Sequence, residues 1–192
     1  GMWVGVDNFS LRWHTIGGMV KTIVLWVLFD VLAYAGIQIT RIGRGMTKIL
    51  LIQGANMAWL GRRQPEIYGT VTANQLDQDL QAHAAKNSYD LEIFYTHLEG
   101  EAIGRVYQGV DESIDGLVMN PAGFTYRGEA LRDCILACGG LPYIEVHISN
   151  LGKRDIKSAL VSAADGMIMG FGLHGYVLAL DGMLDLLKNN KA

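Results

Sequence analysis

Cysteine is scarce in this chain, with two among 192 residues, Cys134 and Cys138. Their spacing of four places both on one face of a helix. It is not the C-x-x-C spacing of redox or zinc motifs. The expectation is two buried, reduced thiols in a cytosolic protein, with a reactive or bridging role as the alternative. A basic stripe alternating with aromatics is also missing, and the net charge is -3, which excludes the usual nucleic-acid binder. There is no G-x-x-x-x-G-K-[ST], no G-x-G-x-x-G after the first strand, and no G-x-S-x-G. Those absences argue against the common nucleotide-binding folds and against an α/β-hydrolase. No repeat and no low-complexity segment appears.

Glycine and apolar residues are plentiful: 24 glycines, and half of the chain apolar. Many glycines fall between apolar runs, as in an α/β fold with tight turns between strand and helix. The first 45 residues stand apart. Thr22 to Ile39 reads "TIVLWVLFDVLAYAGIQI", nearly a membrane span in length, with one charge at Asp30. Its Leu, Ile, Val and Phe residues supply about -3 to -6 kcal/mol toward insertion, and a central Asp costs about +2.5 to +3.5. Arg41, Arg44 and Lys48 follow, so a true span leaves the rest of the chain cytoplasmic. No small-x-small cleavage site directly precedes the first strand. Three readings stay open for residues 1–45: a membrane anchor, a helix packed on the domain or on a partner subunit, or residues upstream of a natural start at Met46. Residues 46–192 form the domain.

From Lys48 the pattern alternates strand and helix. "KILLIQ" (Lys48–Gln53) is a continuous apolar run, as expected for a strand covered on both faces. Further strands are expected at Asp90–Thr96, Asp115–Asn120, Leu141–Ser149 and Gly166–Phe171. Helices are expected at Thr72–Lys86, capped by Thr72, and at Glu99–Gly109, Glu129–Cys138 and Leu173–Leu187. Five strands alternating with helices predict a parallel sheet in a three-layer sandwich. Ligands bind such sheets beyond the carboxyl ends of the strands.

The segments at those ends carry the chemistry. After the first strand comes "GANMAWLGRRQPEIYG" (Gly54–Gly69), about sixteen residues where two to six are usual, as in a lid. "NPAGFTYRG" (Asn120–Gly128) follows the third strand, and "IEVHISN" (Ile144–Asn150) spans the end of the fourth. Together they supply Asn56, Arg63, Tyr68, Asn120, Tyr126, Glu145, His147 and Ser149. Glu145 and His147 are two apart on a strand and share a face. A carboxylate beside an imidazole fixes its tautomer, which suits a general acid. A Glu-His pair that merely satisfies itself is the alternative. "GFG" (Gly170–Gly172) is too short a glycine run to mean phosphate binding. His83, His97 and His174 have no partner at metal-ligand spacing and read as structural or surface residues.

The lid "LGRRQPEIYG", the "NP" followed by "ALRD" (Ala130–Asp133), "IEVHISN" and the ending "GFGLHGYVLAL" (Gly170–Leu180) occur in one order. In these parts the chain resembles type II 3-dehydroquinate dehydratase, the flavodoxin-like type II dehydroquinase, over roughly Lys48 to Leu187. The resemblance implies a cytoplasmic lyase without metal or organic cofactor, in the shikimate pathway of aromatic amino acid biosynthesis or in quinate catabolism. It implies anti elimination of water from a cyclic keto acid by way of an enolate. By position Tyr68 is then the base and Arg63 the group that activates it. Asn56 holds the water at the enolate oxygen, and His147, oriented by Glu145, protonates the leaving hydroxyl. Asn120 and Ser149, with the backbone of Ile148, bind substrate hydroxyls and carboxylate. Asp133 reaches a neighbouring subunit's site in a trimer or dodecamer. Elementary electrostatics supports the base. A tyrosine titrates near pH 10 and needs about 4 kcal/mol of help to act at neutral pH. One guanidinium at about 4 Å in an effective dielectric near 20 supplies about 4 kcal/mol.

Departures from the family's pattern cluster at the recognition end. Gln53 and Ala55 replace the usual Asn and Pro. Tyr126, followed by Arg127 and Gly128, replaces a histidine that contacts ring hydroxyls. The segment Leu151–Gly166 is shortened, leaving Arg154 and Lys157 as candidates for the substrate-binding arginine. Loss of hydroxyl-recognising groups affects specificity more than reaction type. The expected substrate is 3-dehydroquinate or a related cyclic hydroxy-keto acid. The alternative is a non-catalytic homologue that binds a small acid or serves as an assembly subunit.

Overall fold

The computed structural model describes residues 45–64 and 69–189. The apolar run Thr22–Ile39 and Tyr68 lie outside the described residues. Among the described residues no helix is long and apolar enough to cross a membrane.

Among the described residues there are five strands and four α-helices. They are β1 (Thr47–Ala55), α1 (Ala73–Lys86), β2 (Tyr89–Tyr95), α2 (Glu99–Asp111), β3 (Gly116–Ala122), α3 (Glu129–Ala137), β4 (Tyr143–His147), β5 (Gly166–Met169) and α4 (His174–Asn189). All neighbouring strands are parallel, in the order β2-β1-β3-β4-β5. This is the flavodoxin-like order, and its switch point lies between β1 and β3.

The unbroken apolar run of β1 is explained by burial on both faces. Ile49 and Leu51 pack with Val118, Ile144 and Val146 under α1 and α4, among Leu76, Leu80, Leu180 and Met183. Leu50 and Ile52 point the other way, with Leu117, Met119 and Tyr143, under α2 and α3. Alternation along each strand therefore feeds two cores. The helices obey their own signals. Thr72 caps α1, its Oγ1 accepting from the Gln75 N–H at 3.3 Å while Gln75 Oε1 accepts from the Thr72 N–H at 2.9 Å. This reciprocal capping box satisfies two donors that the first helical turn leaves open. On α4 the residues Tyr176, Leu180, Met183 and Leu187 are buried at helical spacing.

Strand ends differ from expectation where the ladder needs N–H groups. β4 begins at Tyr143 rather than Leu141, because Pro142 has no N–H to give; its carbonyl still accepts from Leu117 at 2.8 Å. β5 stops at Met169, where Gly170 turns into the left-handed region with φ 88° and closes against Asn150. The "GFG" run is thus a turn that ties strands four and five, with Gly170 N–H on the His147 carbonyl and Gly172 N–H on that of Ile148.

Gly54 marks the tightest approach in the sheet. A methyl group there would stand 2.2 Å from the Pro121 carbonyl oxygen of β3. Neither backbone can yield without breaking the ladder. Gly54→Ala is expected to cost about 3 kcal/mol of unfolding free energy, read from the midpoint of a urea transition. A midpoint equal to that of the unmodified chain would contradict this close packing.

Candidate active site

A cavity of about 120 Å³ opens at the carboxyl ends of β1, β3 and β4. It lies beside the switch point between β1 and β3, where this topology leaves a crevice. Each wall comes from a strand exit.

β1 delivers Asn56 and Arg63. Asn56 adopts a left-handed conformation, φ 79°, which asparagine tolerates better than most residues. Its N–H donates to His97 Nδ1, at the exit of β2, at 3.1 Å. The chain then winds through a 3-10 turn, Met57–Trp59, and the Arg62 and Arg63 amides both donate to the Trp59 carbonyl. That winding returns the half-buried Arg63 to the cavity, where it lines the wall with Met57 and Leu60. Tyr68, five residues further on, is outside the described residues.

β3 delivers Asn120, Thr125 and Tyr126. Asn120 is buried, with its Oδ1 accepting from the Ala122 N–H at 3.1 Å and its Nδ2 donating to the Tyr176 hydroxyl at 2.7 Å. Ala122 is held at φ 48° and ψ -109°, a conformation that side chains rarely adopt. That strain lies in the cavity wall. Tyr126 stands at the rim, 57% exposed.

β4 delivers Glu145 and His147. Tyr143, Glu145 and His147 point to one face of the strand. Glu145 has no exposed surface and His147 almost none. His147 Nε2 meets Glu145 Oε1 at 2.5 Å, and the Tyr143 hydroxyl donates to Glu145 Oε2 at 3.3 Å. Both carboxylate oxygens are therefore engaged. Burial first, and then Glu145, push the Tyr143 phenol well above its usual range, so it stays a donor. With Nε2 turned to the carboxylate, His147 has Nδ1 left for the cavity it lines. Beyond the strand end Ile148 and Ser149 continue the wall, and Arg154 Nη1 donates to Ser149 Oγ at 3.0 Å.

The cavity thus gathers Asn56, Arg63, Asn120, Tyr126, His147, Ile148, Ser149 and Arg154. Glu145 stands behind His147. Lys157 does not line this cavity; it borders a second one with Arg132, and Tyr126 belongs to both. Asp133 is exposed and pairs with Arg132 at 2.7 Å, away from its own chain's cavity. Thr125 is a lining residue that sequence patterning does not mark, and its buried Oγ1 makes no hydrogen bond among the described residues. Leu151 and Ile156 add apolar wall that reads in sequence only as loop. Among the described residues no three His, Cys, Asp or Glu side chains converge as a metal site. Cys134 is buried and Cys138 only partly so, which corrects the expectation of two buried thiols.

Comparison with known proteins agrees with this architecture. The family model described as Dehydroquinase class II matches residues 47–184. A 3-dehydroquinate dehydratase of Helicobacter hepaticus is 43% identical over 142 residues, covering 72% of this chain and 89% of its own. One from Thioalkalivibrio sulfidiphilus is 41% identical over 148 residues, covering 76% of this chain and 100% of its own. The crystal structure of the type II dehydroquinase from Butyrivibrio crossotus superposes with a TM-score of 0.70 at 32% identity, over 72% of this chain and 97% of that one. The chain belongs to the class II dehydroquinase family.

Removing Glu145 would leave the Tyr143 hydroxyl and His147 Nε2 buried without partners. Glu145→Ala is expected to lower the unfolding free energy by about 3 kcal/mol, measured by urea denaturation. A loss near zero would mean that neither group depends on the carboxylate.

Proposed function

We propose that this chain removes water from 3-dehydroquinate to give 3-dehydroshikimate by way of an enolate. The observation that carries the reading is the His147–Glu145 contact opening on a cavity that also holds Arg63, Asn56 and Asn120. The reaction needs a base for a proton beside the ketone, a stabiliser for the enolate oxygen, and an acid for the departing hydroxyl.

Tyr68 is assigned the base, and Arg63 the cation that favours its phenolate. Arginine stays protonated throughout the working range, so its help does not fade with pH. Asn56, fixed by its own backbone bond to His97, holds a water toward the enolate oxygen. His147 gives a proton from Nδ1 to the leaving hydroxyl, while Glu145 fixes the ring and balances its charge. Asn120 and Ser149, with the Ile148 backbone, take substrate hydroxyls and carboxylate. Arg154 supplies the cation for that carboxylate, since it lines the cavity and Lys157 does not. Tyr126 at the rim faces the substrate's outer edge.

The domain with this chemistry is residues 46–192. Asp133, exposed and turned from its own cavity, supports a contact across a subunit boundary in a trimer or dodecamer. Two unpaired thiols suit a cytoplasmic location.

Incubation with 3-dehydroquinate should produce the ultraviolet absorbance of a conjugated enone, and Tyr68→Phe should reduce the rate by about a thousandfold. Absence of turnover, with no thermal stabilisation by 3-dehydroquinate, would exclude that substrate. In Arg63→Ala the rate limb of the base should move upward, toward the ordinary tyrosine value near 10. The base works deprotonated, so activity at neutral pH falls. An unmoved limb would remove Arg63 from the role.

A further inference from the structure

The exits of β1, β3 and β4 wall the cavity, and no residue of β2 or its exit lines it. β2 nevertheless reaches the site through one side chain. Gln53 and Tyr95 are the last paired residues of β1 and β2, and the Thr96 N–H still donates to the Gln53 carbonyl at 3.1 Å. Beyond that point the Asn56 N–H meets a side chain instead of a β2 carbonyl. It donates to His97 Nδ1 at 3.1 Å, across 41 positions of the chain. A backbone N–H only donates, so the Nδ1 it meets is the bare nitrogen of the ring, and the ring proton sits on Nε2. His97 is exposed, as a surface histidine is, yet this contact ends on a residue of the candidate site.

Asn56 needs such a tie. It stands at φ 79° and ψ -1°, in the left-handed region that glycine alone enters without cost. Its side chain does not cap the 3-10 turn that follows. Its carbonyl accepts from the Trp59 N–H at 3.2 Å, a bond internal to that turn. Among the described residues, the His97 bond is what joins the Asn56 peptide to another strand exit. On the opposite side of β1, a β-carbon on Gly123 would come within 3.6 Å of Asn56 Nδ2. The amide therefore lies beside the exit of β3, at the cavity it lines. The backbone of Asn56 is held from the β2 side while its side chain is presented on the β3 side.

We propose that His97 is a positioning residue for the dehydration: by accepting the Asn56 N–H it holds the left-handed backbone that presents the Asn56 amide to the cavity. The proposal rests on the reading of Asn56 as the holder of a water at the enolate oxygen. The contact requires an acceptor at the place of Nδ1, and neither an aromatic ring nor a charge. His97→Asn supplies that acceptor, since a side-chain Oδ1 branches from Cγ as Nδ1 does in the ring. His97→Ala supplies none, and the Asn56 N–H is left to water. The enolate forms only as the reaction proceeds, so a misplaced stabiliser lowers kcat and leaves KM in place.

The test is steady-state kinetics of the full chain with 3-dehydroquinate. His97→Ala is expected to lower kcat about fivefold, the loss of one ordinary hydrogen bond. KM should move by less than about twofold. His97→Asn should bring kcat back to within about twofold of the unmodified chain. Asn56→Gly keeps the left-handed backbone accessible and removes the amide. In that background His97→Ala should add no further loss. His97 is exposed, so its variants leave the two cores intact. Equal losses in His97→Ala and His97→Asn, or a loss that adds in full to that of Asn56→Gly, would overturn the role. So would a lowered Tm with kcat unmoved, the mark of a merely structural contact. An unmodified chain without turnover would overturn the proposed function and this role with it. An active chain whose kcat His97→Ala leaves unmoved would overturn the role alone.

Discussion

Glu145 is a carboxylate with no exposed surface, and the site depends on how its burial is made tolerable. A lone carboxylate in that position would be protonated or would unfold the strand. Here one oxygen meets His147 and the other meets Tyr143, so the charge and its hydrogen-bonding capacity are both answered. The three residues alternate along β4, and the β3 and β5 ladders hold that strand from either side. Precision in the imidazole therefore comes from the most rigid part of the fold, as a preorganised site requires.

Much of the fold was readable in the sequence because its signals were local and redundant. The continuous apolar run at Ile49–Ile52 needs cover on both faces, and Thr72 with Gln75 announces a helix start. Glu145 and His147 could be paired on paper because strand side chains repeat every two residues. What could not be read depends on three dimensions. Nothing local in the sequence joins Gln53 to Tyr176, which are distant along the chain and 2.8 Å apart at their polar atoms. Thr125 reaches the cavity through a turn whose strained Ala122 has no composition cue. Arg154 and Lys157 lie three residues apart in a loop, and only the path of that loop separates them.

The proposed acid and two of the proposed recognition groups come from different parts of the scaffold. His147 ends a central strand, while Arg154 sits in a loop and Tyr126 at an exposed rim. The departures from the family's usual pattern fall mostly on the second set. Loops change shape without disturbing the ladder, so such a site can alter what it selects while the strand-borne His147 stays in place.

Gln53 on β1 has Tyr95 on β2 and Asn120 on β3 as register partners, and its Oε1 accepts from the Tyr176 hydroxyl, an arrangement with a consequence for how the sheet assembles. Parallel strands joined by long crossovers have few local cues to alignment, and apolar residues tolerate many partners. If β1 slipped by a single residue, Gln53 would turn toward the core under α2 and α3. Tyr176 would lose its acceptor, and the Gln53 amide would be buried among Leu, Met and Phe side chains. A misaligned sheet would therefore carry several unmet polar groups at once, whereas the native alignment leaves a single Gln53 nitrogen among them. The polar seam thus acts as a proofreading mark for the central strand, and one of its members, Asn120, also lines the candidate site.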